Sequence, residues 1–221
     1  CLSRLIEPTS GSIEIEGNDV LAMSEKELIE LRRNKMGMVF QNFALLPHKT
    51  VLENIAFPLQ MRGMKRAEFV ERAMKMIALV GLDEKENSFP RELSGGQQQR
   101  VGIARALAQQ PAMILADEPV ASLDPATSER VLTLLRDICR EDGITAIISL
   151  HQLEYAQRFA DRIIGLANAQ IVFDAAPSQL QQRHLNEIYH GTRGAVTDAA
   201  ETTEPNPQTT TPSPIKLEIA Q

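Results

Sequence analysis

The chain has 221 residues, 43% of them apolar and 24% charged, with a formal net charge of −6. That length suits one ordinary domain plus extensions, with enough apolar residues for a core and no apolar run near the roughly 20 residues that span a bilayer. The acidic balance argues against non-specific nucleic-acid binding, which draws on basic surface, and two cysteines, Cys1 and Cys139, make no disulfide framework.

At the start, Cys1-Leu2-Ser3-Arg4-Leu5 lacks the charged-then-apolar pattern of a signal peptide, and the want of a disulfide framework makes a reducing cytoplasm the expected compartment. Residues 12–16, Ser-Ile-Glu-Ile-Glu, alternate as a half-buried strand does. Gly17-Asn18-Asp19 turns the chain, and Ser24 with Glu27 forms a capping box that predicts a helix from Glu25 to about Arg33. Met36 to Phe40 reads as a strand stopping at Gln41. The C-terminal end of a buried strand is where α/β proteins place ligand contacts, although taken alone Gln41 reads better as an exposed loop residue.

From Val51 to about Leu82 the pattern is helical: Phe69, Ala73, Met76, Ile77 and Val80 recur at helical spacing, and Gly81 closes the run. Residues 42–92 therefore read as a helical insertion in an α/β domain, with its methionines as core filler. Leu93-Ser94-Gly95-Gly96-Gln97 then opens an amphipathic helix from Gln97 to about Gln109. Ser94 suits an N-cap, and the glycines let another molecule approach the backbone. Free N–H groups and the helix dipole there suit an anion such as phosphate; a plain turn and cap is the competing reading.

Ala112 to Ala116 has no polar interruption, as in a strand buried on both faces of a parallel sheet, and it ends in Asp117-Glu118. Two carboxylates in that place are costly unless they have partners or work to do. Ala121-Ser122-Leu123-Asp124-Pro125 leads into a helix from about Ala126 to Arg140, ended by Gly143. Ile144 to Leu150 is a further β-rich run that stops at His151, the third strand end to carry a polar residue of catalytic type. A helix over 152–160 follows, then a hairpin of Ile163–Leu166 and Gln170–Phe173 turning at Asn168, and a short helix opened by Pro177. From about Thr192 the chain is rich in Thr, Pro, Ala and Glu and is expected to be a disordered tail.

With Gln41, Leu93–Gln97, Met113–Glu118, Asp124 and His151 in this order, the chain resembles the ATPase subunit of ABC transporters over roughly residues 2–190. The resemblance implies a P-loop NTPase-like α/β fold, with a mostly parallel core sheet and the helical subdomain at about 42–92. It implies a domain over 1–191, followed by the tail at 192–221. The cofactors it implies are ATP and Mg²⁺. Asp117 would hold Mg²⁺ through water, Glu118 would be the general base, and His151 the switch residue at the γ-phosphate. Gln41 would touch Mg²⁺ and the attacking water. Ser94, Gly95 and Gly96, with Gln97 beside them, would bind the γ-phosphate of ATP held by a second ATPase subunit, paired head to tail. Asp124 would join the two sites across that interface. The helical insertion, with Phe43, Leu45 and Leu46 near its start, would dock on a transmembrane permease at the cytoplasmic face of the membrane. A solute-binding protein would take part indirectly, and nucleic acid would not. Core packing is the competing reading for those three apolar residues.

The chain departs from the family in one respect. The phosphate-binding stretch G-x-x-x-x-G-K-S/T is not among its residues, and Cys1–Leu5 reads like the end of the helix that follows it. Charge-assisted hydrogen bonds contribute about 1.5–3 kcal/mol each. Losing four removes on the order of 6 kcal/mol, roughly four powers of ten in affinity. The expectation is an N-terminally truncated ATPase domain that turns ATP over negligibly on its own.

For the cargo two clues disagree. Leu31 to Gly63 looks like the glycine betaine and proline importer ATPases. Glu118-Pro119-Val120-Ala121-Ser122-Leu123-Asp124-Pro125 and Ser149-Leu150-His151-Gln152-Leu153-Glu154 look like the phosphonate importer ATPases, which is the reading adopted. Two other classes compete with an importer motor: a non-catalytic ABC protein, and an ABC ATPase without a membrane partner. Intact Glu118, His151 and the signature residues Leu93–Gln97 disfavour the first, and the compact insertion without a coiled coil or basic arms disfavours the second.

Overall fold

Three apolar runs become the three strands of one parallel sheet in the computed structural model, which describes residues 8–190. Strands β3 (Met36–Val39), β4 (Met113–Asp117) and β5 (Thr145–Ser149) lie in that spatial order, with Val39 opposite Ala116 and Asp117 opposite Ser149. Parallel neighbours need long crossovers. Helices α2 (Val51–Met61), α3 (Arg66–Leu79) and α4 (Gly95–Leu107) fill the first, and α5 (Pro125–Glu141) the second. The three strands therefore end on one edge, which carries Gln41, Asp117-Glu118 and His151.

Upstream, β1 (Glu14–Ile15) and β2 (Asn18–Asp19) form a short antiparallel pair. The predicted 12–16 strand is shorter because its partner offers only Asn18 and Asp19, but the alternation holds: Ile13 and Ile15 are buried with Leu28 and Leu31 of α1 (Glu25–Asn34). The capping box of α1 is made in both directions between Ser24 and Glu27.

The helical segment differs from its periodicity in one place. A single run was expected from Val51 to Leu82, but Gly63, at φ +74°, breaks it into α2 and α3. Gly81, at φ +62°, ends α3 as predicted. Ile55 and Leu59 of α2, Ile77 of α3 and Val101 and Ala104 of α4 share one buried core. Met64 and Met76 pack against it, whereas Met61 and Met74 face solvent, so only part of the methionine set is core filler. Leu45 packs on this core too. Helix α4 starts two residues earlier than read, because both glycines are its first turn rather than a loop before it.

These residues, through His151, form one unit; a second begins at Gln152. It holds α6 (Leu153–Phe159), the hairpin β6 (Ile163–Ala167) and β7 (Gln170–Ala175), and α7 (Gln182–His190). Asn168 and Ala169 make the hairpin turn at φ +50° and +61°, the mirror-image turn that matches strand twist. Pro177 opens only a 3₁₀ turn, Pro177–Gln179, and α7 is separate from it. The tail from Thr192 lies outside the described residues. No helix among the described residues is long and apolar enough to cross a membrane.

Candidate active site

Glu118 is the meeting point of the strand-end residues. Gln41, just past β3, donates from Nε2 to Glu118 Oε2 at 3.2 Å. His151, just past β5, has Nε2 2.5 Å from Glu118 Oε1. The carboxylate is three-quarters screened from solvent while the imidazole is exposed, so the site is an open edge and not a closed cavity. Parallel pairing explains this convergence: residues far apart in sequence end in register on neighbouring strands.

Sequence reading missed Ser149. Its Oγ donates to Asp117 Oδ1 at 2.9 Å and accepts from the Glu118 N–H at 3.0 Å. The only signal available was a small polar residue closing an apolar run. Glu118 itself has φ +43°, a left-handed conformation that costs a non-glycine residue roughly 1–2 kcal/mol. Such strain persists where neighbours over-determine the backbone, and Ser149 is one of them.

Ser94 caps α4 as expected. Its N–H donates to Gln97 Oε1 at 2.9 Å, and Gln97 N–H returns a bond to Ser94 Oγ at 3.3 Å. Ser94 is exposed, whereas Gly96 is buried: a β-carbon there would lie 2.3 Å from Thr127 Cγ2 of α5. A β-carbon on Gly95 would meet Leu123 at 3.3 Å. The glycines thus have a packing reason inside this chain, beside any approach by a ligand. Asp124 caps α5, accepting from the Thr127 N–H at 3.0 Å. Thr127, through its side chain and then its amide, holds the Asp124 carboxyl below the usual aspartate range, with Arg130 adding to this.

The loop after β3 is fastened to α4. Phe43 and Ala44 have φ of +57° and +47°, and Arg105 of α4 donates to both carbonyls, at 3.0 Å and 2.6 Å. Gln41 and Ser94 therefore sit at two ends of one connected piece. Burial lowers the Arg105 pKa from its usual value.

As for a metal, no group of three or more His, Cys, Asp and Glu among the described residues could hold one. The donors at the edge are the Asp117 carboxylate and the Gln41 amide oxygen, both hard oxygens. That set fits a cation such as Mg²⁺, which keeps water and phosphate oxygens as most of its ligands.

Known proteins resemble this chain in sequence and in fold. The family described as ABC transporter matches residues 1–121. The phosphite import ATP-binding protein PxtA of Stutzerimonas stutzeri is 55% identical over 198 residues, covering 86% of this chain and 70% of that protein. The phosphonates import ATP-binding protein PhnC 2 of Halalkalibacterium halodurans is 45% identical, covering 85% of this chain and 80% of that one. The trimethylamine N-oxide transport system ATP-binding protein TmoW of Pelagibacter ubique is 56% identical, over 74% of this chain but 48% of its own length. Among solved structures, a dimeric ATP-binding cassette in a post-hydrolysis state, bound to ADP and Pi, superposes with a TM-score of 0.70 at 38% identity. That match covers 79% of this chain and 77% of the cassette.

Proposed function

From the premise that the chain belongs to the ABC transporter family, as a relative of its import ATP-binding proteins, we propose that it supplies the hydrolytic edge and the signature helix of an ATPase dimer driving import of a phosphorus oxyanion. The observation that carries the catalytic part is the convergence of Gln41, Ser149 and His151 on Glu118 and its neighbour Asp117.

Glu118 is the general base: it orients the attacking water and takes its proton, a role worth about 10²–10⁴ in rate. His151 and Gln41 each hold one of its oxygens, which fixes the direction in which the base acts. Asp117, through water, and the Gln41 oxygen would hold Mg²⁺, which when bound would supply charge neutralisation at the phosphate oxygens. Ser94, Gly95, Gly96 and Gln97 face the γ-phosphate of ATP on a second subunit, with the N-terminus of α4 offering free N–H groups to it. Asp124, near the start of α5, links the two sites across the dimer. Residues 42–92 are the helical subdomain that docks on a permease, with Phe43 and Leu46 in the fastened loop. The assembly lies against the cytoplasmic face of the membrane.

Phosphite or phosphonate is the cargo supported by two of the relatives named above, matched over 70% and 80% of their length. A methylated-amine cargo has one observation in its favour, the 56% identity to the trimethylamine N-oxide protein, over about half of that protein.

The test supplies the G-x-x-x-x-G-K-S/T stretch, which is not among these 221 residues, by joining the chain to that segment of the phosphite relative. The joined protein should hydrolyse ATP with Mg²⁺. Its Glu118→Gln variant should be slower by about 10²–10⁴ yet form an ATP-dependent dimer. Normal turnover by that variant overturns the assignment of the base. Uptake of phosphite against trimethylamine N-oxide in cells carrying the joined protein separates the two cargoes.

A further inference from the structure

We infer that Ser149 is a positioning residue for hydrolysis, one hydroxyl setting both the backbone of Glu118 and the carboxylate of Asp117; this rests on the catalytic reading of Glu118 given above.

The register of β4 and β5 ends with Asp117 opposite Ser149. Glu118 is the first residue beyond that ladder, so its N–H has no rung to donate to. Ser149 Oγ takes that donor at 3.0 Å, and its single hydrogen is committed to Asp117 Oδ1 at 2.9 Å. The hydroxyl is thus used in both senses, as acceptor and as donor, in a chain that runs from amide through hydroxyl to carboxylate. Linked bonds of this kind reinforce one another. The outcome is that Glu118 is held in a left-handed backbone, at φ +43°, which directs its side chain to Gln41 and His151.

Ser149 need not touch ATP or water for this. It fixes where the base and the acidic metal donor stand, and a misplacement of about 1 Å can cost roughly 10² in rate. Alanine removes both hydrogen bonds. Threonine keeps the hydroxyl and suits a strand.

The experiment uses the joined protein described above, with Ser149→Ala and Ser149→Thr. Ser149→Ala should lower kcat by roughly 10- to 100-fold with KM for ATP little changed, as expected when orientation and not binding is lost. In a Glu118→Gln background, Ser149→Ala should raise the Mg²⁺ concentration that half-saturates ATP-dependent dimer formation, a readout that does not depend on turnover. Ser149→Thr should restore both quantities, and the melting temperature should be nearly the same in all three proteins.

Three results overturn the inference: Ser149→Ala with an unchanged kcat, an unchanged Mg²⁺ requirement for the dimer, or Ala and Thr equally impaired with a lowered melting temperature. A fully active Glu118→Gln protein is a different failure, that of the catalytic reading beneath it.

Discussion

A β-carbon on Gly96 would lie 2.3 Å from Cγ2 of Thr127, closer than any relaxed carbon pair, so the signature helix rests on α5 at this point. Gly96→Ala should therefore destabilise the chain even without nucleotide. Overpacking costs about 1–3 kcal/mol, offset in part by the roughly 1 kcal/mol that alanine gains over glycine in a helix. Thr127→Ser removes the obstructing methyl and should restore most of the loss in the double variant. Urea melts of the four proteins check this. If Gly96→Ala melts like the parent, the helix has room that the packing denies.

Arg105 holds two carbonyls whose residues both have positive φ, and neither residue is glycine. The loop from Gln41 to Leu46 thus depends on a guanidinium from α4. Hydrogen bonds to charged groups contribute about 1.5–3 kcal/mol each. Arg105→Ala should cost about 3 kcal/mol or more, by the same measure. Arg105→Lys should recover only part, since an ammonium lacks the planar fork that reaches Phe43 and Ala44 together. Faster hydrogen exchange at residues 41–46 in either variant, compared with α5, is the expected local signature.

Much of the candidate site was legible in the sequence because its signals are local. Apolar runs that end in Gln41, Asp117-Glu118 and His151 announce strand ends, and Ser94 at the start of an amphipathic run announces a cap. Ser149 was not legible as a partner of Asp117, because that pairing is set by the register of two strands 32 positions apart in sequence. The same holds for Gly96, whose need for a missing side chain comes from Thr127 on another helix. Gly63 shows the opposite error. The apolar period continues across it, and only the left-handed backbone reveals that α2 has ended.

In the second unit, Arg162 grips Asp174 with both arms, Nε to Oδ1 at 2.6 Å and Nη2 to Oδ2 at 2.7 Å. This bond from Arg162 holds the Asp174 carboxyl below the usual aspartate range. A carboxylate with a lowered folded-state pKa stabilises above the ordinary value of about 3.9, and that contribution is lost as pH falls through its folded value. Asp174→Asn should therefore weaken the hairpin at neutral pH. The gap from the parent should shrink as pH drops below about 4, the range where the unfolded-state aspartate begins to bind its proton. Denaturant melts across that range measure it, and a gap that stays constant in acid would exclude this ion pair as its source.

Asn54 is fully buried on α2 and carries the loop that precedes it. Its Oδ1 accepts from the Leu46 N–H at 2.8 Å, and its Nδ2 donates to the carbonyls of Leu46, Lys49 and Thr50 at 3.0–3.1 Å. The Thr50 carbonyl also takes the helical N–H of Asn54 and the Leu46 carbonyl that of Lys49, so the Leu46 N–H and the Lys49 carbonyl are the groups left to this amide. Asn54→Leu keeps the volume and leaves those two groups unpaired, at about 1–3 kcal/mol for each one that water cannot reach. A total near 3 kcal/mol is expected, seen as a lower midpoint in urea at an unchanged slope. Asn54→Asp separates the two halves of the amide. It keeps the acceptor for Leu46 but places a buried carboxylate against three carbonyls, which raises its pKa and makes its ionised form the destabilised one. That variant should be weakest at neutral pH and recover in acid, where the protonated carboxyl can donate. An aspartate variant as stable as the parent at neutral pH would mean that the bonds donated by Nδ2 contribute nothing to this loop.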